Sequence, residues 1–583
     1  MNKVDPVLMT VVNNYLHRTA EEMGIAMRNT ALSPVFNEAL DFSCAVFDEK
    51  GDMMAQGEHC PSQLGALPIA IGYLIEEFGL ESFGPKDVYL FNDPYSGMNH
   101  LPEHCVTKAI YYKGQRVAMG TCIGHMAETG GLAPGGFPGD ASEVFHEGVI
   151  IPPVKIIKAG KRDEDLLRLI LANVRTPKLN EGDLMAMIGA LYVGERRIIE
   201  LIRKYSVETY TEVKEELKRY AEIRMRNNIR EIPDGVYEAE DFIIDNDGWT
   251  DKPAKMKVKV TVKGDEITVD FAGSDKQRKG PVNLTLTATI SAVYNAILHL
   301  TDPAIPANIG RYRPIHVIAP KGTITNPYFP APTVGGNSET HPQTIALIWR
   351  ALAPALPTKV AAAEGGTGML VTFGGVHPET KEPYSHIVIE GLGWGGKEGK
   401  DGNDVVTVAN SNCVVTPIEV YETRYPVKHL FYGLHVNSGG AGKYRGGLGS
   451  IRIMEVTAPE MTISCYHERE KLKPWGLFGG KPALNASFLV KRVGEQNFRT
   501  FKDAFGVRCA SKFTNITLHK GDCIKIVSPG GGGFGDPAER EIEKIIEDIK
   551  EGYYTAENIR ANYPQFDEIE GMQILDPLTG ISR

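Results

Sequence analysis

The sequence predicts a multidomain protein of the α+β class, and three observations support this prediction. The chain has 583 residues, which is too long for one compact hydrophobic core. Apolar residues recur at helical spacing through much of the first 230 residues, and they alternate with polar residues after Gly235. We therefore expect an N-terminal mixed α/β region with a helical segment (1–230), a Gly-rich, antiparallel β-rich region (231–537) and a C-terminal helical tail (538–583).

The chain begins with a predicted amphipathic helix. Asp5 is a suitable N-cap residue, and Pro6 suits the first helical position because its missing N–H would have no partner there. Apolar residues then recur at helical spacing as far as Asn29. The next predicted element is a strand at residues 42–47.

Further elements lead towards a group of polar side chains. Residues 67–78 form a predicted helix with Pro68 in its first turn. Residues 88–91 are predicted as a short buried strand, and residues 117–123 as a strand that delivers His125 to its C-terminal end. Strand ends and the loops that follow them commonly hold functional side chains on a rigid scaffold.

The pattern changes near residue 230, where we place a soft domain boundary. The predicted helices before this boundary are 163–173, 181–205 and 207–228. Period-2 alternation after it predicts antiparallel strands, and a helix follows; these elements are 236–239, 256–262, 266–271 and the helix 288–301.

The glycines between residues 330 and 450 alternate with Ile, Val, Trp and Tyr, so we expect ordered, close-packed loops rather than a flexible linker. The last predicted helix is 538–551, with isoleucines on one face and Gly552 positioned to terminate it.

Composition excludes several classes of protein. The formal net charge of −10 argues against nucleic acid as the main partner, because phosphate binding needs a basic surface. No stretch has the length of a membrane-spanning apolar segment, and the N-terminus has no signal-peptide pattern, so we expect a cytoplasmic protein. The eight cysteines form no CxxC pair, which predicts free thiols.

The residues that carry chemistry are concentrated between residues 92 and 131. This stretch holds His100, Glu103, His104 and His125, although the whole chain has only 15 histidines. Two imidazoles and one carboxylate would leave coordination positions open for water or substrate on a divalent metal. Asp41 precedes a predicted strand and could reach the same place. Spacing alone does not decide between Glu103 and His104 as a ligand.

Two glycine motifs look like nucleotide sites and fail on inspection. Gly530, Gly532 and Gly535 satisfy GxGxxG, but only a helix and a tail follow them, so the second strand of a dinucleotide-binding unit is missing. Residues 437–444 resemble a phosphate loop, but Asn437 replaces its first Gly and Tyr444 its Ser or Thr. We therefore predict no nucleotide site in this chain.

Taken together, the motifs resemble those of the hydantoinase B/oxoprolinase family. This family includes B subunits of ATP-dependent hydantoinases and lactamases, the C-terminal half of 5-oxoprolinase and one large subunit of acetone-type carboxylases. The matching segments occur in the family's order at residues 41–48, 92–95, 100–102, 124–125, 130–131, 147–148, 151–153, 173–175, 182–184, 335–337, 438–442, 445–447 and 529–537.

The resemblance implies a divalent metal site in the N-terminal region. Carried over by position, the ligands are His100, Glu103 and His125. Glu103 departs from the Asp that is usual after the Leu-Pro pair. Asp41 matches an acid of the family and is expected to act as a fourth ligand or as a general base. Such ligands suit zinc, manganese or iron.

The resemblance also implies a companion A subunit, an actin-like ATPase that binds ATP and Mg²⁺, in a hetero-oligomer such as α2β2. The A subunit would phosphorylate the carbonyl of a cyclic amide (hydantoin, oxoproline or lactam). This chain, as the B subunit, would attack that carbon with a metal-activated water. The alternatives are a subunit of an ATP-dependent ketone carboxylase and a non-catalytic scaffold with a structural metal.

Overall fold

The computed structural model describes residues 4–566, so residues 567–583 of the predicted tail lie outside the described residues. The α-helices within that range are α1 (Pro6–Thr30), α2 (Pro34–Asn37), α3 (Pro61–Phe78), α4 (Glu164–Leu171), α5 (Pro177–Tyr205), α6 (Val207–Arg230), α7 (Leu286–Leu298), α8 (His341–Leu352), α9 (Ile418–Arg424), α10 (Phe501–Phe505), α11 (Ile542–Lys550) and α12 (Ala556–Asn562).

The strands in the same range are β1 (Phe42–Asp48), β2 (Met53–Gln56), β3 (Val88–Phe91), β4 (Glu103–Tyr112), β5 (Gln115–His125), β6 (Val154–Lys158), β7 (Lys161–Arg162), β8 (Gly235–Ile244), β9 (Ala254–Lys263), β10 (Glu266–Asp270), β11 (Ile315–Ile318), β12 (Leu370–Val376), β13 (Pro383–Val388), β14 (Val427–Leu434), β15 (Ser450–Val456), β16 (Glu460–Tyr466), β17 (Ser487–Lys491), β18 (Arg499–Thr500), β19 (Lys512–His519) and β20 (Cys523–Val527).

These strands form four sheets. The first has the order β2-β1-β5-β4-β3-β6-β7, and the second β11-β10-β9-β8. The third has the order β13-β12-β16-β19, and the fourth β14-β15-β20-β17-β18. Strand pairs are antiparallel except β10 with β11, which are parallel. This mixture of helices and antiparallel sheets agrees with the α+β class predicted from the sequence.

The first sheet is covered by helices on both faces. Helices α1 and α5 pack on one face, where Val46 is part of the core, and α3 packs on the other, where Phe47 is part of the core. Because successive side chains of a strand point to opposite faces, a strand in this position needs apolar residues throughout. All seven residues of β1 are accordingly buried.

Helix α1 agrees with its prediction, and helix α3 begins earlier than predicted. The Asp5 side chain accepts from the Val7 N–H at 3.0 Å, as expected of an N-cap. Helix α3 begins at Pro61 instead of residue 67, so Pro68 lies inside the helix. An interior Pro costs about 3 kcal/mol. Burying Leu64 and further apolar side chains against the sheet, at about 1.5–3 kcal/mol each, offsets that cost.

The C-terminal helix is shorter than predicted. The Asp536 side chain accepts from the Ala538 N–H at 2.9 Å and starts a separate single turn. Arg540 is extended, so α11 begins only at Ile542. Gly552 has a φ of 73°, which fits its predicted position just after the helix.

The glycine-rich segments pack backbone against backbone. The Gly396 N–H donates to the Gly532 carbonyl at 2.9 Å, and the Gly531 N–H donates to the Gly447 carbonyl at 2.9 Å. A Cβ added at Gly531 would overlap the carbonyl of Trp394. The GxGxxG motif therefore has a structural role.

Two further predictions can be compared with the described residues. All eight cysteines lie in this part of the chain, and all are free and buried. None of the helices within residues 4–566 combines the length and the apolar character needed to span a bilayer.

Candidate metal centre

Three of the predicted site residues lie at one end of the first sheet, on strands that are adjacent in space. Glu103 begins β4 and faces His125, which ends β5. The His125 N–H donates to the Asp41 carbonyl at 3.0 Å, immediately before β1 begins. Directly opposed residues of an antiparallel pair point to the same face, so the Glu103 and His125 side chains meet.

The fourth residue, His100, lies in the turn before β4. Its Nε2 is 3.5 Å from Glu103 Oε1, and its ring centroid is 5.1 Å from that of His125. On the other side of the site, His125 Nδ1 is 3.9 Å from Asp41 Oδ2. His100, Glu103 and His125 are buried, and Asp41 is partly buried. The fold thus brings together all four residues that the sequence analysis selected.

Three buried polar atoms at this site have no hydrogen-bond partner within residues 4–566. They are His100 Nε2, Glu103 Oε2 and His125 Nε2. Buried polar atoms are normally satisfied, so a set of unsatisfied nitrogen and oxygen acceptors requires an explanation. Imidazole nitrogens and a carboxylate are a donor set that fits a divalent cation.

The four side chains nevertheless stand as two pairs, His100 with Glu103 and His125 with Asp41. Among the described residues, no group of three His, Cys, Asp or Glu side chains is arranged to hold a metal ion. The ligand set His100, Glu103, His125 and Asp41 therefore remains a prediction, supported by burial and by the unsatisfied atoms.

A backbone carbonyl from a distant segment fixes the orientation of His100. His100 Nδ1 lies 3.0 Å from the Val334 carbonyl, and because a carbonyl can only accept, Nδ1 is the donor. In the neutral ring this leaves Nε2 as an acceptor facing the site. Such second contacts commonly set the tautomer of a metal-binding imidazole.

A buried carboxyl group holds that carbonyl in place. Glu147 Oε1 accepts from the Thr333 N–H at 2.6 Å and from the Val334 N–H at 2.8 Å. Burial raises the pKa of Glu147 to about 8, although these two backbone donors lower it. Neither Glu147 nor Val334 received a role in the sequence analysis. The available signal was that Glu147-Gly148 and Gly335-Gly336-Asn337 are among the segments that match the family.

The pKa values of the site residues are shifted in different directions. Burial, reinforced by the charge of Glu103, raises the pKa of Asp41 to about 7. Burial lowers the pKa of His125 well below its usual value, and His100 adds to this effect. Burial also lowers the pKa of His100, but the Glu103 carboxylate outweighs it and the net shift is upward. The lowered pKa of His125 favours its neutral form, which is the form that coordinates a metal.

His104 points away from the site. It follows Glu103 in β4, so its side chain lies on the opposite face of the sheet. Its Nε2 is 3.1 Å from Asn92 Nδ2, and burial lowers its pKa to about 4. The geometry thus favours Glu103 over His104 as the residue that faces the other candidate ligands.

The candidate ligands line a cavity of about 70 Å³. The rest of the lining is largely apolar, and no Lys or Arg is among the described residues that line the cavity. Asn337 Nδ2 donates to Glu103 Oε1 at 3.3 Å, and both ring nitrogens of His386 lack a hydrogen-bond partner in the described part of the chain. Besides the candidate ligands, the main residues that line the cavity are Val35, Phe137, Leu370, Ile387, Ile389, Val408, Asn337, Ser338, His386, Asn410 and Ser411.

Comparison with known families gives one match over most of the chain. Residues 5–537 match the family described as hydantoinase B/oxoprolinase. The chain is 36% identical over 550 residues to an uncharacterized protein of Methanocaldococcus jannaschii, covering 94% of each. It is 33% identical over 575 residues to caprolactamase subunit beta of Pseudomonas jessenii, covering 97% of this chain and 96% of that one.

Two solved structures share the fold. The ATP-dependent caprolactamase from Pseudomonas jessenii superposes with a TM-score of 0.88 at 30% identity, covering 96% of each chain. A nucleotide-free acetone carboxylase superposes with a TM-score of 0.87, covering 96% of this chain and 80% of that one. The second pair is only 20% identical, so this similarity concerns the fold alone.

Proposed function

We propose that this chain, which belongs to the hydantoinase B/oxoprolinase family, is the B subunit of an ATP-dependent cyclic-amide hydrolase. The observation that carries the proposal is that His100, Glu103 and His125 each have a buried unsatisfied atom and line the same small cavity. Similarity to caprolactamase over nearly the whole chain supports the choice of reaction.

In this proposal His100, Glu103 and His125 hold a divalent cation, with Asp41 as a fourth ligand or as the general base. The cation would be zinc, manganese or iron. When bound, it would supply Lewis acidity, which lowers the pKa of water and polarises a carbonyl.

The chain's own residues would position the reaction. Gln63 Nε2 donates to Asp41 Oδ1 at 2.8 Å and fixes that carboxylate, so Asp41 Oδ2 faces His125 and can accept a proton from water. The apolar wall that includes Leu370 and Ile387 would hold the carbon atoms of the ring and limit access of bulk water.

We further propose that a companion A subunit of the actin-like ATPase type binds ATP and Mg²⁺ and phosphorylates the amide carbonyl. An unactivated amide resists attack, and phosphorylation of its oxygen creates a good leaving group. The B subunit would then open the ring within a hetero-oligomer such as α2β2. The absence of a nucleotide motif in this sequence supports this division of labour.

A ketone carboxylase subunit is the second candidate function, because an acetone carboxylase has the same fold. The third candidate is a scaffold subunit whose metal only stabilises the fold. The three differ in their need for bicarbonate and in the effect of losing the metal.

The test uses the purified complex of this chain with its companion subunit. We expect ATP-dependent opening of a cyclic amide without bicarbonate. Replacing His100 or His125 with Ala should abolish turnover and remove stoichiometric metal, measured by elemental analysis, while circular dichroism stays unchanged. His104→Ala is the matched control, because His104 faces away from the site and should retain the metal.

Two outcomes would contradict the proposal in different ways. Turnover of a ketone that requires bicarbonate would establish the carboxylase reaction. Normal ring opening by a folded, metal-free His100→Ala variant would establish the scaffold.

A further inference from the structure

A second and larger cavity lies outside the candidate metal centre. It measures about 640 Å³ and is bounded by α1, by β2 and the loop after it, by the end of α7 and by the loop at residues 301–312. Small-molecule sites typically have roughly 300–1,000 Å³. The cavity is therefore large enough for a ligand, and none of the proposed metal ligands lines it.

The unusual residue of this cavity is Arg311, which is only 8% exposed. Its Nη2 donates to the Tyr312 hydroxyl at 2.7 Å, and its Cζ lies 4.9 Å from the centre of the Tyr312 ring. Its Nε has no hydrogen-bond partner, and no carboxylate within residues 4–566 forms an ion pair with it. Arg311 is thus a buried positive charge without an acidic partner.

Three other buried arginines are neutralised by carboxylates, whereas Arg469, which is 3% exposed, has no ion pair within residues 4–566 and donates its Nε to the Gly365 carbonyl at 3.1 Å. Arg445 pairs with Asp404 and Asp548, Arg452 with Glu390, and Arg540 with Asp401. Removing an ion from water is costly, and a cation–π contact returns only a small part of that cost. The contact with Tyr312 therefore does not compensate Arg311, and an anionic ligand would.

The acidic residues that line the cavity do not supply this compensation. Asp302 is paired with Arg224 and also accepts from the Ala304 N–H at 2.8 Å. The Glu58 side chain is 87% exposed at the rim, 3.9 Å from His17 Nε2.

Hydrogen-bond donors are available in the same cavity. The side chains of Asn13 and Asn14, on α1, line it, and neither forms a hydrogen bond with another described residue. The guanidinium could bind an oxyanion, and these amides are further hydrogen-bond donors on the cavity wall.

The cavity shares a thin wall with the candidate metal centre. His59 and Pro61 line the large cavity, whereas Cys60 and Ser62 line the small one. A second segment also lies between the cavities, since Asn410 lines the small one and Asn412 the large one. The Ser62 N–H donates to the Asn410 carbonyl at 3.0 Å and joins the two segments. Part of the large cavity therefore borders the site at which the proposed reaction would occur.

We propose that the large cavity binds a phosphate group through the Arg311 guanidinium, either as free phosphate or as the phosphate of a nucleotide. The anion site follows from the buried charge alone. The choice of phosphate over carboxylate rests on the proposed function, in which every turnover consumes ATP. A planar guanidinium offers two parallel N–H donors, which match two phosphate oxygens.

The test measures binding to the full-length chain without companion or substrate, so that its outcome is independent of the proposed reaction. Isothermal titration with phosphate, at constant ionic strength in chloride, should show one saturable site. Arg311→Gln should weaken binding by about 10- to 100-fold, as expected for charge-assisted hydrogen bonds. Asn13→Asp, which adds a negative charge to the cavity, should also weaken it.

Arg313→Gln is the matched control. Arg313 follows the same turn but is 41% exposed and pairs with Glu222, so its loss should leave phosphate affinity unchanged. Thermal unfolding adds a second readout: phosphate should raise the melting temperature of the wild type and of Arg313→Gln, but not that of Arg311→Gln. Arg311→Lys keeps the charge and should retain weakened, saturable binding.

Titrations with ADP and ATP identify the source of the phosphate group. Binding of a nucleotide at least tenfold tighter than free phosphate, and lost in Arg311→Gln, would assign a nucleotide; similar affinities would assign free phosphate. Equal phosphate binding by wild type and Arg311→Gln, or no saturable binding by the wild type, would overturn the proposal. So would saturable binding of acetate that excludes phosphate, since the site would then be a carboxylate site.

Discussion

At the scale of single residues, the candidate metal centre depends on contacts between groups that are far apart in the sequence. His100 obtains its orientation from the Val334 carbonyl, 234 residues away. That carbonyl is held in turn by the buried carboxyl group of Glu147. Glu147 is therefore a positioning residue, which acts on the site through the backbone at residues 333 and 334.

Replacing Glu147 with Ala should weaken metal binding by about 10- to 100-fold, the usual effect of losing an outer contact of a ligand. The variant leaves two buried N–H groups without acceptors, which costs about 1–3 kcal/mol each. A competition titration with a chelator measures the affinity, and urea unfolding measures the stability.

Glu147→Gln retains the Oε1 acceptor and should recover most of the metal affinity. Glu143→Ala, an exposed carboxylate in the same segment, is the control and should change neither quantity. Unchanged metal affinity in Glu147→Ala would show that Val334 does not need this support.

At the scale of secondary-structure elements, the glycine-rich loops act as a packed unit. Three segments around residues 393–396, 439–447 and 529–533 exchange backbone hydrogen bonds, and their backbones approach too closely for side chains. The GxGxxG motif arises within this packing and not from a strand–turn–helix that binds a dinucleotide.

Gly531→Ala should destabilise the protein by about 1–3 kcal/mol or more, because the added methyl meets the Trp394 carbonyl, which is backbone and cannot rotate away. Chemical denaturation measures this effect. Gly72→Ala in α3 is the control: it has open space around the new methyl and should stabilise the helix by about 0.5–1 kcal/mol. A Gly531→Ala variant as stable as the wild type would contradict the packing role.

At the scale of the whole molecule, the C-terminal helices dock on the glycine-rich region. Ile545, Ile549 and Tyr563 share a core with Leu448. Asp548 accepts from Arg445 Nε at 2.9 Å and from Arg540 Nη2 at 2.8 Å, so one carboxylate joins α11 to two buried cations. The described part of the tail is therefore integrated with the body of the protein.

Asp548→Ala should release this tail, because removing one partner of a buried ion pair typically costs about 3–5 kcal/mol. Hydrogen exchange should accelerate in residues 542–562 and remain slow in the first sheet. Glu547→Ala changes the exposed neighbouring carboxylate and should leave the exchange pattern intact. If the two variants exchange alike, the arginine contacts do not anchor the tail.

The sequence was most informative where a local rule applies. The cap at Asp5, the long helices α5 and α6, and the alternating strands β8–β10 follow from residue type and periodicity. The predicted start of α3 was wrong because burial against the sheet overrides the local effect of Pro68. Strand β4 was not predicted at all, since a strand buried on both faces lacks the alternation that marks an exposed one.

The sequence by itself determined the family, the absence of a nucleotide motif and the four side chains of the candidate metal centre. Only the tertiary structure decided how they meet: the register of β1, β5 and β4 brings Asp41, His125 and Glu103 to one end of the sheet. The tertiary structure also places Val334, Glu147 and Asn337 around these side chains, and it buries Arg311 without an acidic partner. Contacts between distant segments depend on packing, and no local pattern of residues encodes them.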